Sequence, residues 1–542
     1  MNSQKRSGRK PLSMIMIVAA VTLLNGGDFG PIAAAAEINT VALDGTDDVR
    51  GPGLGSGALF NVEFFSTSYL VPGTPGAVVF QSNLSGAVSG TGEFYHDGSS
   101  NTAQVRTGQQ APGYAAGINV SRLDDRPLGA SDGTLKTAIV LTGAGVTSAN
   151  DRALLVTGPG GTTTTREGEQ VPGLPANVFY SRFEDFGIKS YGSRGAIFGA
   201  TLFGPGVNSS SNIAVVVGVP GSMQVLAREG NQIPNLPVGA IYSGFQAYFS
   251  GADGVLVSGS ARNGTVPPGS ENVMSLFKNG SYTLLGRQNS TTLVNCPGVF
   301  AGEFFEIYPS SSEKFITSGN VDNGGVLKPS LVMGNHAGEF RVLVDSDTVL
   351  PGTGNTLASI RNFTLSPNGR FAAFVGEMSD AKHGLFRYDT ETNAIIKIAA
   401  ESDAKPDGGT FGFFRDVAYH VNSSGLMAFT EEFSSGTVIY SYGDGAGLSL
   451  LVPSAFDVDQ GPGLDMRTIS RLLFTDAGAG ISFLSSDGGL ILGDDGGLVF
   501  KAEFADGSAG IFTTIVVPEP PALIIALIAA LPLLWRGRLV PC

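Results

Sequence analysis

The sequence predicts an all-β protein, a β-propeller of about eight four-stranded blades, with seven blades as the alternative count. Two observations carry this prediction. The 542 residues include 77 Gly, 29 Pro and 34 Phe, a composition typical of short strands separated by tight turns. The body of the chain also repeats every 54–63 residues, and this period indicates a propeller or another array of sheets.

The repeat is clearest in two segments, "REGEQVPGLPANVFYSRF" from Arg166 and "REGNQIPNLPVGAIYSGF" from Arg228. Alignment on their shared proline extends the series to eight positions: Pro52, Pro112, Pro172, Pro234, Pro297, Pro351, Pro406 and Pro462. These prolines divide the body, residues 37–516, into units near 52–111, 112–171, 172–233, 234–296, 297–350, 351–405, 406–461 and 462–516.

Each unit contains short β-rich segments joined by Gly, Asn and Pro turns. In unit 172–233 they read "FEDFGIKS", "GAIFGATLFG", "NIAVVVGVPG" and "MQVLAREG", and four strands make one propeller blade. The segments "FYSRF", "IYSGF" and "FGFFRD" recur at one position per unit. Their recurrence favours core packing between blades over a platform for sugar rings.

Closure of the ring is predicted from the two ends of the body. The last unit has no copy of the final "VLAREG" strand, whereas "INTVALDG" from Ile38 resembles it. We therefore predict that residues 38–43 complete the last blade, since an open ring would leave exposed strand edges. An open array of sheets and two smaller propellers remain the alternatives.

The N-terminus predicts a secretory signal peptide over residues 1–36. Basic residues precede an apolar stretch, 12–24, which is too short for a typical membrane span. The small residues Ala34 and Ala36 fit the cleavage pattern and leave Glu37 as the first mature residue. An uncleaved membrane anchor is the alternative.

The C-terminal tail, residues 517–542, predicts a marginal membrane stop signal. Its apolar segment 521–535 has 15 residues, about 22 Å as a helix, against a hydrocarbon core of about 30 Å. A proline-rich linker precedes this short helix and two arginines follow it. The residues concerned are Val517, Pro518, Glu519, Pro520, Arg536 and Arg538.

The order "VPEP", apolar segment and "RGR" resembles the PEP-CTERM sorting signal, although Gly537 interrupts the basic cluster and "LVPC" follows it. The resemblance implies an exported protein of a Gram-negative bacterium that makes extracellular polysaccharide. The implied partners are the Sec export machinery, signal peptidase and an exosortase that recognises Pro518–Pro520. The implied location is the cell surface, outer envelope or extracellular matrix, after transient anchoring in the inner membrane.

The body resembles tandem-repeat proteins with an "NxxGxxxAF" motif, which carry various C-terminal surface anchors. The motif residues Asn422, Gly425, Ala428 and Phe429 match with one residue fewer between Gly and Phe. A second copy has Gly369, Ala373 and Phe374 at the full spacing, with Ser366 in place of Asn. This resemblance implies a repeat surface protein and no particular activity.

Charge and chemistry narrow the function classes. The net charge of −14 argues against nucleic acid as a partner, because phosphates require a basic surface. No cofactor is predicted; calcium is the alternative, because oxygen-rich acidic turns can bind it, although none of them completes a twelve-residue calcium loop. The calcium candidates are Asp44, Asp47, Asp48, Asp457 and Asp459.

No catalytic residue is predicted. The string Gly129–Gly133 has the pattern of a nucleophile elbow around Ser131 but leads into a strand rather than a helix. The four histidines are spread over four units. The sequence is therefore interpreted as a non-enzymatic structural or adhesive component of the envelope or polysaccharide matrix. A glycoside hydrolase or lyase with its site in the propeller channel and a calcium-dependent binding module are the alternatives.

Overall fold

The protein is described by a computed structural model that covers residues 38–515 with interruptions. The residues left out within this range are 46–53, 55–56, 63–67, 72–73, 125–127, 130–134, 159–160, 184–188, 191–194, 251–253, 264–265, 268, 270, 303, 305–306, 413, 415–416, 431–437, 459–464 and 474–491. The predicted signal peptide, Ser131 and the C-terminal tail lie outside the described residues. Within them, no helix is long and apolar enough to cross a membrane.

The described residues form 38 strands in eight antiparallel sheets. The first strand is β1 (Ile38–Leu43). The first four blades then comprise β2 (Ala58–Asn61), β3 (Ser68–Leu70), β4 (Val78–Gly86), β5 (Gly90–His96) and β6 (Asn101–Arg106); β7 (Ile118–Leu123), β8 (Leu128–Gly129), β9 (Leu135–Gly143), β10 (Arg152–Gly158) and β11 (Gly161–Arg166); β12 (Phe179–Phe183), β13 (Lys189–Ser190), β14 (Ala196–Phe203), β15 (Ile213–Gly218) and β16 (Gln224–Arg228); and β17 (Ile241–Ser250), β18 (Gly254–Arg262), β19 (Asn272–Lys278) and β20 (Ser281–Arg287).

The other four blades follow in the same order along the chain. They comprise β21 (Thr291–Leu293), β22 (Cys296–Phe300), β23 (Ile307–Pro309), β24 (Lys314–Asp322), β25 (Leu327–Asn335) and β26 (Phe340–Asp345); β27 (Leu357–Leu365), β28 (Phe371–Met378), β29 (His383–Asp389) and β30 (Ala394–Ala400); β31 (Tyr419–Val421), β32 (Met427–Thr430), β33 (Ile439–Gly443) and β34 (Gly447–Val452); and β35 (Ala455–Asp457), β36 (Met466–Leu473), β37 (Gly497–Phe504) and β38 (Ala509–Ile515).

The eight sheets are arranged as an eight-bladed propeller, which confirms the predicted fold class. Neighbouring blades share clusters of buried side chains, so the core lies between the sheets. The largest cluster joins the seventh and eighth blades to the first three. In it, Phe500 packs against Phe456 and Phe512 at ring-centroid distances of 6.1 and 5.6 Å.

The prediction of four strands per blade is correct for the fourth, sixth and seventh sheets and wrong for the others, which have five or six strands. In the first three blades and the fifth, the strand next to the central axis is split into two short pieces that pair with the same neighbour. Bulges also interrupt inner strands, for example β12 between Tyr180 and Arg182 and the unsplit β17 of the fourth blade between Tyr242 and Gly244. A bulge breaks the ladder locally and bends the strand, and the alternation of side chains alone does not predict it.

The eighth sheet combines strands from both ends of the described chain. β1 pairs antiparallel with β38, from Ile38 opposite Thr514 to Leu43 opposite Gly510. The sheet order is β1-β38-β37-β36-β35, so the N-terminal strand occupies the outer edge of the last blade.

The repeat turn before the second strand of a blade links neighbouring blades. Asn422 Oδ1 accepts hydrogen bonds from the backbone N–H groups of Ser424 and Leu426, both at 3.0 Å. Its Nδ2 donates to Gly493 O in the next blade at 3.0 Å. Gly425 has φ +84°, and a Cβ there would lie 2.7 Å from Arg387 Nη1. The asparagine and glycine of the motif therefore serve a tight, closely packed turn.

The Ala-Phe pair after this turn packs on both faces of its strand. Ala428 and Phe429 are both fully buried. Ala428 belongs to the cluster shared with the eighth blade, whereas Phe429 packs with Tyr440 and Phe414 toward the sixth. A small and a large residue thus alternate between the two inter-blade cores.

Candidate binding face

Three consecutive loops between blades close in the same way around a glutamine. They precede the second, third and fourth blades, and Gln110, Gln170 and Gln232 each stand two residues before the repeat proline. Gln170 Nε2 donates to Val171 O and Pro175 O at 3.1 and 3.0 Å. Its Oε1 accepts from Asn177 N at 2.8 Å. One side chain therefore satisfies three backbone groups of its own loop.

The other two loops repeat these contacts. Gln232 Nε2 donates to Leu236 O and Pro237 O at 3.2 and 3.1 Å, and its Oε1 accepts from Gly239 N at 2.8 Å. Gln110 bonds in the same manner to backbone groups between Ala111 and Gly117. We call Gln110–Gly117, Gln170–Asn177 and Gln232–Gly239 the locked loops.

Backbone hydrogen bonds and left-handed residues complete the lock. In the third-blade loop, Gly168 N donates to Tyr180 O at 2.8 Å and Val171 N to Val178 O at 2.9 Å. Two positions per loop have positive φ, and they are occupied by Gly113 and Gly117, Gly173 and Asn177, and Asn235 and Gly239. Gly and Asn are the residues that tolerate this conformation most readily. The loops are thus preformed rather than shaped by a ligand.

The tips of the locked loops are exposed, uncharged and small. They are formed by Ala115-Ala116, Pro175-Ala176 and Pro237-Val238, all exposed to solvent, and Val238 is 94% exposed. Beside the third-blade loop, Phe203 is 45% exposed and its ring lies 5.3 Å from that of Phe179. The face therefore offers three apolar tips and one accessible aromatic pair.

The arginine of the "REG" motif, next to a locked loop, donates hydrogen bonds to a turn of its own blade. Arg166 Nη2 donates to Asn150 Oδ1 at 3.0 Å. Arg228 Nε donates to Ser211 O at 2.7 Å. Asn150 and Ser211 lie in the turns between the second and third full strands of these blades. Hairpins and locked loops thus form one face of the propeller, at the same end of the strands.

The glutamate of the "REG" motif connects one blade to the next beneath that face. Glu167 is buried, and its Oε1 accepts from Phe183 N at 3.2 Å, just beyond the inner-strand bulge of the third blade. Burial raises the pKa of this carboxyl, and the Phe183 N–H opposes the shift. Glu401 accepts from Phe414 N at 3.2 Å in the same way. The glutamate is visible in the sequence as part of the recurring "REG" motif. Its role as an acceptor for the next blade depends on the bulge, which the motif does not predict.

Asp44, a calcium candidate, occupies the corresponding position after β1. Its carboxylate accepts hydrogen bonds from Val62 N and, at 2.9 Å, from Ala509 N. Burial raises its pKa despite these bonds. Asp44 is therefore engaged as an inter-strand acceptor.

Of the other calcium candidates, Asp457 ends β35, while Asp47, Asp48 and Asp459 lie outside the described residues. No group of three acidic, histidine or cysteine residues within the described chain could hold a metal ion.

The histidines lie in four different blades. His96 Nδ1 is 3.1 Å from Asn101 Oδ1, and His383 Nδ1 is 3.1 Å from Glu401 Oε1. His420, in the inner strand of the seventh blade, is buried, which lowers its pKa to about 4. The interpretation of the recurring aromatic segments as core is confirmed for Tyr180, Tyr242 and Phe414, which are buried, whereas Phe179 of "FYSRF" is only half-buried.

The sequence matches the model of the family described as "Family of unknown function (DUF7453)" over residues 46–312 and 314–524, and the chain belongs to this family. A search of curated proteins finds no match.

Three solved structures that the chain resembles are each remote in sequence. The propeller domain of the Trilobed protease from Pyrococcus furiosus is 9% identical, with a TM-score of 0.35 over 71% of this chain and 98% of that one. An oligogalacturonate lyase from Vibrio parahaemolyticus is 9% identical, with a TM-score of 0.36 over 89% and 99%. Acylaminoacyl peptidase from Pyrococcus horikoshii is 10% identical, with a TM-score of 0.32 over 71% and 53%. The fold assignment rests on the sheets described above.

Proposed function

We propose that this member of a family of unknown function is an exported, surface-sorted, non-enzymatic propeller that presents its locked loops to an extracellular polymer. It would act as a structural or adhesive component of the cell envelope or the polysaccharide matrix. The observation that supports this most directly is where the two ends of the described chain lie relative to the loops.

Both ends lie at the face opposite the locked loops. Ile38 pairs with Thr514, and Ile515 pairs with Gly497, which follows the turn at the start of β37. The locked loops and the hairpins tied to them lie at the other end of the strands. The proposed sorting tail begins at Val517, two residues after β38 ends. A chain held by this tail would direct the locked loops away from the attachment point.

The proposed mechanism is avidity. Each tip offers only a few small apolar groups, so a single contact would be weak. Three preformed tips on one rigid body would bind a repetitive polymer together, because the second and third contacts become intramolecular. The internal locks reduce the ordering entropy that flexible loops would lose on binding. The Phe179–Phe203 pair supplies a surface on which an apolar sugar face would pack.

Sorting is tested first by mass spectrometry of the C-terminus, on protein from separated envelope and medium fractions. We expect a mature chain that ends near Val517–Pro520. Recovery of Arg536 and Arg538 in the mature protein would contradict processing and indicate a plain membrane anchor.

Display is tested by labelling intact cells with a membrane-impermeant maleimide in a Cys296→Ser/Cys542→Ser background. Val238→Cys, at a locked-loop tip, is expected to react faster than the matched control Ala337→Cys, an exposed residue on the opposite face. Equal or reversed rates would contradict the proposed orientation.

Binding is tested by sedimentation with the extracellular polysaccharide of the producing organism. The triple variant Gln110→Ala/Gln170→Ala/Gln232→Ala is expected to lose most of the binding of the parent chain. Release of new reducing ends from the polymer would instead support the hydrolase or lyase alternative. Binding that requires added calcium would support the calcium-dependent module.

A further inference from the structure

A cleft between the fifth and sixth blades combines two cations that no carboxylate in the described chain neutralises. It has a volume of about 280 Å³ and opens among the turns of the face opposite the locked loops. Its lining includes Lys314, Met333, Asn335, Glu339, Phe340 and Arg341. We propose that this cleft binds a carboxylate-bearing molecule of the size of one sugar ring, such as a uronic acid. The inference does not depend on the function proposed for the locked loops.

Arg341 is the principal donor of the cleft. Its Nη2 donates to Thr390 O at 2.8 Å, which holds the guanidinium against the sixth blade. Its Nε is shielded from solvent and has no hydrogen-bond partner in the described chain. A buried donor without a partner is costly, and a small rotation of the guanidinium toward the cleft would let a ligand oxygen satisfy it. The planar guanidinium fork fits the two oxygens of a carboxylate.

Lys314 supplies the second positive charge. Its Nζ has a single, long contact of 3.4 Å with Gly369 O. Neighbouring charges are already paired: Lys278 with Glu313, and Arg370 with Asp389 at 2.9 Å. Arg370 also lies 3.3 Å from Glu391. Lys314 and Arg341 therefore keep their charges available, although the whole chain carries a net charge of −14.

The one carboxylate in the lining is held at the rim. Glu339 is exposed, and its Oε2 accepts from Asn335 Nδ2 at 2.8 Å. Asn335 Oδ1 in turn accepts from Glu339 N at 3.0 Å. This closed pair draws Glu339 toward the turn, and the lining carries a net charge of +1. Electrostatics thus favour a monoanion.

The volume and the remaining walls select an organic ligand over an inorganic ion. Pockets for drug-sized ligands measure roughly 300–1,000 Å³, so a cleft of about 280 Å³ suits a single ring. Met333 and the exposed side chain of Val294 provide apolar lining next to the donors. A carboxylate on a ring with both C–H and hydroxyl groups matches this combination.

The test is calorimetric titration of the whole chain with sodium glucuronate and, separately, with glucose and inorganic phosphate. We expect glucuronate to bind and glucose to bind at least tenfold more weakly. Arg341→Gln and Lys314→Gln should each weaken glucuronate binding by tenfold or more. Arg341→Lys, which keeps the charge and loses the fork, should weaken it by a smaller factor. Arg262→Gln is the matched control, since Arg262 is an arginine on another blade with one backbone contact, to Ser210 O at 3.2 Å.

Two results would overturn the inference. One is glucuronate affinity that stays unchanged in both Lys314→Gln and Arg341→Gln. The other is phosphate affinity equal to that of glucuronate, which would reduce the cleft to a general anion site. Because Arg341 also joins two blades, each variant is first checked for an unchanged melting temperature. Lys314→Gln removes no short hydrogen bond and keeps the test valid if Arg341→Gln unfolds.

Discussion

The loops that precede the second to fourth blades and those that precede the fifth to seventh blades are both held by side-chain hydrogen bonds. The residues that make these bonds differ between the two groups. The first group uses one device three times, a glutamine that bonds to its own loop. In the second group, Asn295 makes two bonds with the backbone of Val342, Thr348 Oγ1 donates to Asp345 Oδ1, and Asp403 accepts from Lys397 Nζ at 2.8 Å. Closing a loop therefore does not require glutamine. The use of the same glutamine lock in all three loops of the first group therefore needs another reason. Presentation of three similar loop tips to one polymer, as proposed above, would be such a reason.

The largest expected effect is a loss of stability at Gly425, where a side chain would meet both close packing and backbone strain. Comparison with Gly239, where only backbone strain applies, separates the two. Gly425→Ala should destabilise the protein by roughly 4 kcal/mol, because a Cβ at this positive φ would clash with Arg387 and Phe371. Gly239→Ala in a locked loop is the control, where φ is +96° but no atom lies within 4 Å of the new Cβ. It should cost about 1 kcal/mol. Equal losses in urea unfolding would contradict the contrast.

His420 tests the inner strand of the seventh blade. Its pKa is lowered by burial from 6.5 to about 4, so the unfolded state binds the proton first as the pH falls. Stability should therefore decrease between pH 6.5 and pH 4, by up to about 3 kcal/mol. In His420→Asn this decrease should be smaller when thermal unfolding is measured across the same range. A variant with the full wild-type slope would show that another group is responsible.

Gln170 compares the two loop designs directly. Gln170→Ala removes three hydrogen bonds and should destabilise the chain by about 1–2 kcal/mol, with faster amide exchange at Asn177. Asn295→Ala removes two hydrogen bonds that join the loop before the fifth blade to the backbone of Val342 in β26, and is the matched change. We expect similar stability losses from the two variants, but weaker polymer binding only from Gln170→Ala. Equal binding losses would remove the functional distinction between the two groups.

The smallest effect concerns Glu167. Burial raises its folded pKa above 4.5, so the folded state retains the proton to higher pH than the unfolded state. Its contribution should decrease as the pH rises from 4.5 through the raised folded value. Glu167→Gln keeps the acceptor for Phe183 N and should flatten this decrease. Urea midpoints at several pH values measure it, and a steeper slope in the variant would contradict the sign.

The sequence by itself determined the all-β class and the period and predicted about eight units, because turn chemistry and strand alternation are local properties. The tight turn at Asn422–Gly425 and the packing of Ala428 and Phe429 are also readable from local sequence, since glycine conformation and side-chain alternation follow from neighbouring residues. The recurrence of "REG" and of the repeat proline is visible in the sequence, but the sequence does not show which residues they contact.

Only the tertiary structure decided the roles that depend on residues far apart in sequence. The bulge at Tyr180–Arg182 leaves the Phe183 N–H free for Glu167, and an alternating pattern does not predict where a ladder breaks. Asp44 accepts a hydrogen bond from the N–H of Ala509, which is 465 residues away in sequence. This contact exists only because β1 pairs with β38. Lys314 and Arg341 meet in one cleft because β24 and β26 both pair with β25 in the fifth blade, and Thr390 of the sixth blade completes the lining. These sites are formed by contacts between residues far apart in sequence. The sequence does not predict them because the burial of a side chain and its hydrogen-bond partner depend on how the sheets pack, not on the local segment.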